Sequence, residues 1–459
     1  MTTGIRQAAT IFNTGALTRT ELKEMGRSLR EQVTLREHGI WKPASNRVDP
    51  VEILQSQDAV RLQELVPVRY GRMLASPFAF FRGASAVMAT DLAGTPITNV
   101  NVQACCDAHV DNFGIYASAE RQIVFDLNDF DETLPAPWEY DVKRFAASIA
   151  LDARQLGYSD QQAEDVIRKC IVEYGNVLDN LSKVASLDIH YARLDESLYL
   201  AMTEDEDVLK YARKIISKAR KRSSKQVMKK WCTRVGGKLR FVDIPPTQSR
   251  LNDEQVEHFR DLYNRYRATL PQDRQHALKE YRFRDAARRV VGIGSVGLDS
   301  HIVLLEGRGD PDPLVLQFKE ATTSVMTPYA GKSGYARHGE RVVAGQKLMQ
   351  ATSDPFLGWV PFGKKDLYVR QLRDMKGPSG GSPIFPLYEV DCVVCAGALA
   401  RAHARSVDPS LIHGYVGHGR RFAASLSRFA MSYADQAEED YNALIDAVKS
   451  GKLTAAAGI

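Results

Sequence analysis

The sequence predicts an α+β chain: two small sheets, segregated along the chain and separated by helices. Three observations predict it. Residues 98–127 read as short strands. Residues 290–318 alternate apolar and polar side chains around a Gly-rich turn, which is strand texture. The stretches before, between and after them have helical length and spacing. At 459 residues the chain is long enough for about three domain-sized units. Its 44% hydrophobic and 25% charged residues are those of a soluble globular protein and exclude general disorder.

The elements follow in order. Residues 1–60 are polar, with a helical stretch at 20–38. Residues 57–92 mix helical text with the aromatic cluster Phe78, Phe80 and Phe81. Strands are expected at 98–105, 113–117 and 122–127, the last two joined by a hairpin-sized loop. Helices are expected at 140–156, opened by Pro137, and at 160–182. Residues 203–231 read as a highly charged helix. Gly236-Gly237 and Pro245-Pro246 mark a turn region. Residues 254–290 look helical. After the second sheet come a helix at 338–352, a strand at 366–373, an apolar helix at 387–405 and amphipathic helix over 420–449. The expected units are an N-terminal helical segment (1–94), an acidic-loop part (95–200), a charged helical linker (201–285), a glycine-loop part (286–377) and C-terminal helices (378–459).

Two motifs carry chemistry. Gly292, Gly294 and Gly297 form G-x-G-x-x-G, with Ser295 inside it. A dinucleotide-binding loop would run into a helix. This one runs into Ser300-His301-Ile302-Val303-Leu304-Leu305, then a turn, then Leu314-Val315-Leu316-Gln317-Phe318-Lys319. Strand, glycine turn, strand, turn, strand with a terminal lysine is the layout of a kinase nucleotide-binding lobe. Lys319 alternates with apolar neighbours and is expected to face inward, where it needs an anion. Glu340, at the start of the next helix, is its expected ion-pair partner. The competing reading is a Gly-rich hairpin with a surface lysine.

The second motif is Cys106-Asp107-Ala108-His109-Val110-Asp111-Asn112, followed by a hairpin ending in Asp126-Leu127-Asn128-Asp129-Phe130-Asp131. Phosphoryl transfer to a hydroxyl needs a carboxylate for the acceptor and oxygen ligands for magnesium. This segment supplies both types from neighbouring strand ends.

Asp107 to Asn112 resembles the catalytic loop of aminoglycoside phosphotransferase-like and choline kinase-like enzymes, and Val124-Phe125-Asp126-Leu127 resembles their metal-binding strand end. Pro137-Trp138-Glu139-Tyr140-Asp141 resembles the following helix start, with Asp141 bracing the loop. Leu399 to His403 resembles the helix leading into it. The whole chain also resembles a bacterial family of uncharacterised function. The resemblance implies a protein-kinase-like two-lobe fold with extra helices, binding ATP and Mg2+. Asp107 would be the catalytic base, Asn112 and Asp126 the metal ligands with Asp129 and Asp131 as rivals, and Gly292, Gly294, Ser295, Gly297, Lys319 and Glu340 the nucleotide site. Two departures stand out. Cys106 replaces the usual glycine, and the acidic loop precedes the glycine loop, which implies circular permutation with a hinge at 372–377.

The expected activity is transfer of phosphate to a hydroxyl, on a small molecule ahead of a protein, with nucleotidyl transfer open. The alternatives are a non-catalytic nucleotide-binding protein of the same shape and a nucleic-acid-associated protein using the basic residues 210–230. Nucleic acid is disfavoured. The net charge is only +5, and the basic stretch has few aromatics and reads as a solvated helix face. Arg82-Gly83 reads as packing, His109 as a loop brace, and Cys392 and Cys395 as buried thiols rather than half of a zinc site. Six unevenly spaced cysteines, no apolar run of spanning length and no secretory leader in residues 1–20 predict a cytoplasmic protein without a membrane span.

Overall fold

Local chemistry sets where helices begin. Ser159 and Gln162 form a reciprocal capping box at Asp160–Leu181, and Asn252 and Gln255 do the same at Asp253–Thr269. Asp49 caps Pro50–Asp58, whose proline needs no N–H partner. The computed structural model describes residues 11–456 apart from 310–311, 373–374, 379–381 and 383, and its architecture is α+β.

The main sheet has six antiparallel strands. Their order is Gly358–Phe362, Lys365–Gln371, Pro313–Ala321, Ser300–Glu306, Arg282–Arg289 and Gln248–Arg250. Every residue of Pro313–Ala321 is buried because both faces of the sheet are covered. Leu314, Leu316 and Phe318 meet Phe259, Tyr263 and Tyr266 of Asp253–Thr269. Val315, on the other face, meets Val227, Leu239 and Phe241. Alternation puts Lys319 on the Val315 face, away from that helix.

The second sheet has four strands, in the order Gly377–Pro378, Phe113–Ala117, Ile123–Leu127 and Leu194–Asp195. It shares the largest core with the helices Trp138–Gln155, Asp160–Leu181, Phe385–Ala404 and Arg420–Lys449. A separate ladder pairs Asn101–Ala104 with Leu134–Pro137, which delivers the chain into Trp138–Gln155. The N-terminal helices Pro50–Asp58, Val66–Met73, Pro77–Gly83 and Ser85–Leu92 pack Tyr70, Met73 and Phe80 on Leu444 of Arg420–Lys449.

Two readings change. Residues 282–289 are a strand, not the end of a helix, so the main sheet starts upstream of residue 286. The reason is a bulge: Leu305 pairs with Phe283 but Leu304 with Asp285. The extra residue breaks the two-residue period, so Phe283 and Ala286 face the same core at helical spacing. The basic stretch is two helices, Glu206–Arg220 and Ser224–Trp231. The first buries Ala212, Ile216 and Ala219 against the large core and keeps its charges outward. Among the described residues no helix is long and apolar enough to cross a membrane.

Phe259 packs on His301, Phe318 and Phe362. Phe259→Ala should cost about 3–5 kcal/mol. A denaturant-unfolding series would read it, and a loss below about 1 kcal/mol would mean that this helix does not hold the sheet.

Candidate functional site

Sixteen of the eighteen residues of Trp138–Gln155 are buried, including five charged ones, and each charge has to be satisfied from within. Asp141 does so by accepting the backbone N–H groups of Cys105 and Cys106, both at 2.7 Å. His403 of Phe385–Ala404 donates to the same carboxylate at 3.2 Å, and its other ring nitrogen lies 2.8 Å from the Tyr174 hydroxyl. Asp141 thus braces the loop as expected. Cys106 sits at φ 63°, in the left-handed region that favours glycine. The two N–H···carboxylate bonds hold a conformation that costs a non-glycine residue about 1–3 kcal/mol.

Arg144, one turn further on, binds Asp107. Its Nε lies 2.7 Å from Asp107 Oδ1, while its guanidinium stacks 4.3 Å from the Phe81 ring and donates to the Phe81 carbonyl. The aromatic cluster of Pro77–Gly83 is therefore the floor under this pair. Burial pushes the Asp107 carboxyl up to about 6, although Arg144 pulls the other way. His109 is kept neutral by burial and packs edge-on against Phe78. The thiols of Cys105 and Cys106 are pushed well up by burial and offer no nucleophile.

Asn112 ties the Asp107 loop to the next strand end. Its Nδ2 donates to the carbonyls of Asp107 and Asp129, and its Oδ1 accepts from Asp129 N–H at 2.7 Å. Asp129 is thereby held beside Asp131, and Lys319 pairs with both. Burial works against the ammonium, but the two carboxylates outweigh it and hold Lys319 above the usual lysine range. Burial also raises both acids. Lys319 and Arg370 reverse that for Asp129, which stays low, while proximity to Asp129 keeps Asp131 high. Oδ1 of Asp131 is buried without a hydrogen-bond partner.

These groups meet at a cavity of about 930 Å³. Asp107, Asp129 and Asp131 line it together with Gly292, Gly294 and Ser295, and Lys319 pairs with Asp129 and Asp131. The N-terminal segment adds Arg61, Arg82 and Thr90 to the lining. Gly292 and Gly297 have φ of 66° and 90°, so the loop requires glycine there. Ser295 donates to Val291 O within the loop. Arg72 donates to Gly292 O, Arg61 to Val296 O, and Leu62 N–H to Gly297 O, so the N-terminal segment fastens the loop from outside.

Two expected members are elsewhere. Asp126 is 1% exposed and does not line the cavity; it accepts from Arg401, Leu127 N and Ala351 N. A carboxylate already neutralised and bonded at both oxygens is a structural group, and Asp129 and Asp131 take the place at the cavity. Glu340 is not an ion-pair partner of Lys319, which is held by the two aspartates; its neighbour Arg341 is the buried residue, donating to the carbonyls of Asp131, Thr133 and Thr322. The expected hinge runs from the main sheet at Gln371 to Gly377, which pairs with Ile115 of the second sheet. Arg373 and Asp374 within it lie outside the described residues. Sequence reasoning missed Arg144 and Arg61. The i, i+3 spacing of Asp141 and Arg144 could have signalled the first; nothing local signals the second. Among the described residues no group of three or more His, Cys, Asp or Glu forms a metal cage.

A family model described as an uncharacterized protein conserved in bacteria (DUF2252) matches residues 61–447. The chain belongs to this family. The matched span takes in the Asp107 loop, the acidic pair, the glycine loop, Lys319 and Arg61, so the DUF2252 region contains the main groups of the site. No curated protein and no solved structure matches the chain.

Asp126→Ala strands the buried Arg401 and should cost about 3–5 kcal/mol. Thermal or urea denaturation would read it; a variant as stable as the parent would return Asp126 to the list of candidate ligands.

Proposed function

We propose that this DUF2252 protein is an ATP- and Mg2+-dependent phosphotransferase acting on a hydroxyl acceptor, on a protein-kinase-like two-lobe fold whose parts are circularly permuted. One observation carries the reading. A lysine near the end of Pro313–Ala321, the second strand after the glycine turn, lies against Asp129 and Asp131, at the cavity that the glycine loop and Asp107 also line. Residues 372–377 joining the two sheets, and a helix whose His403 bonds Asp141, the carboxylate that holds the Asp107 loop, suit the permuted order.

Asp107 is the group to orient the acceptor hydroxyl and take its proton, and Arg144 fixes its direction. Lys319 is the phosphate cation, and the glycine loop brings backbone close to the nucleotide. The donors suit magnesium. Asp129 is nearly half exposed, and the Oδ1 of Asp131 beside it has no hydrogen-bond partner. Magnesium in such sites takes one or two carboxylates plus phosphate oxygens rather than a protein cage. When bound it would offset phosphate charge. Asn112 acts by holding Asp129, since its amide oxygen already accepts the Asp129 N–H. The acceptor being a small molecule rather than a protein is part of the same proposal.

Mg-ATP at about a hundredfold excess over its Kd should stabilise the protein by about 2.7 kcal/mol. Lys319→Met should abolish that shift, whereas Asp107→Asn should keep it and stop phosphate transfer to the acceptor. No shift with the parent protein sinks the reading; label arriving on product as a nucleotidyl group redirects it. A base must be ionised to act, so kcat/KM should rise with pH through about 6, where the Asp107 carboxyl titrates. A flat profile between pH 5 and 7 would remove Asp107 as the base (roughly these limits bracket its titration).

A further inference from the structure

Arg61 lines the cavity, yet among the described residues it has no carboxylate partner. The two acids whose charges it senses are engaged elsewhere. Asp58 is held by Arg69 and the Tyr70 hydroxyl, and Glu132 accepts the Val325 N–H at 2.7 Å. The guanidinium donates to Val296 O, and its Nε is buried with no acceptor. Burial, with Arg69 nearby, pulls Arg61 down to about 9; it remains charged at neutral pH, held at a cost that an anion would relieve.

The position is built. A Cβ added at Gly297 would lie 3.0 Å from the Arg61 Cβ and 3.4 Å from its Cγ and Cδ. The third glycine of the motif therefore leaves room for the arginine stem as well as turning the chain. The next residue, Leu62, bonds Gly297 O at 2.8 Å and locks the register. Glu132, whose charge Arg61 senses, lines the same cavity and follows Asp129 by three residues.

We propose that Arg61 is a phosphate ligand supplied by the N-terminal segment, its guanidinium binding the terminal phosphoryl group of a nucleoside triphosphate held under the glycine loop. This rests on the phosphotransfer reading. The anion must lie between the glycine loop and Asp107 if an acceptor near Asp107 is to reach it, and Arg61 is bonded to that loop and lines the same cavity as Asp107. A planar guanidinium can give two charge-assisted hydrogen bonds to one phosphate.

The test compares Mg-ATP with Mg-ADP, which lacks the terminal group, by calorimetry on the full chain. Arg61→Met should weaken ATP roughly tenfold or more and leave ADP nearly unchanged. Arg72→Met is the control. It removes the other side-chain bond to the loop, at Gly292 O, without lining the cavity, so the ATP-to-ADP preference should persist. Equal losses for both nucleotides in Arg61→Met would make Arg61 only a loop fastener and overturn the proposal, as would no change in either. If the parent protein binds neither nucleotide, the phosphotransfer reading fails by itself. Inorganic phosphate then decides the anion site: protection against melting lost in Arg61→Met keeps it, and identical curves end it. Unchanged nucleotide binding with phosphate protection lost would place the anion on the acceptor and overturn the assignment to the terminal phosphoryl group.

Discussion

One turn of a buried helix holds the acidic loop. Asp141 takes two backbone N–H groups of the loop and Arg144 takes its carboxylate, Asp107. The neighbouring charges bind the chain just upstream: Glu139 accepts from Thr98, and Lys143 donates to Thr95 and to Pro96 O. A helix buried on all sides cannot leave these groups bare, so segment 95–107 is drawn onto it. That constraint keeps Cys106 left-handed and fixes the direction in which Asp107 points.

The neighbouring electrostatics separate two kinds of aspartate. Asp126 and Asp129 lie three residues apart, at the end of one strand and just beyond it. Asp126 is closed off by an arginine from Phe385–Ala404, whereas Asp129 shares Lys319 with Asp131 and keeps an exposed edge. With Arg370 4.0 Å from Asp129, the two acids face two cations, so the cluster is tolerable while largely buried. In the phosphotransfer reading a nucleotide with its cation exchanges partners there: phosphate for the lysine, metal for the acids. No charge is bare in either state, which suits a site that must be stable empty and filled.

The helices were legible because their signals are local. Ser159 with Gln162 and Asn252 with Gln255 mark their own helix starts. The glycine loop and Lys319 were legible because turn glycines and two-residue alternation are also short-range. The strand at 282–289 was not, because its bulge copies helical spacing. Asp126 was misplaced for a different reason. Its strand period shows that it is inside, but not that Arg401 faces it from 275 residues away. Glu340 had the spacing of a partner for Lys319, yet the acids from residues 129 and 131 reached it instead.

The sequence alone determined the class of the fold, most element positions, the glycine loop, an inward lysine and a carboxylate-rich loop. Each depends on residues within a few positions of one another, where backbone geometry leaves few choices. The tertiary structure decided which carboxylates belong to the cavity, that Arg144 and Phe81 support Asp107, and that the N-terminal segment lines part of the cavity and brings Arg61 to the glycine loop. Those outcomes turn on which buried charge finds which partner across the chain, and only the packed arrangement sets that distance.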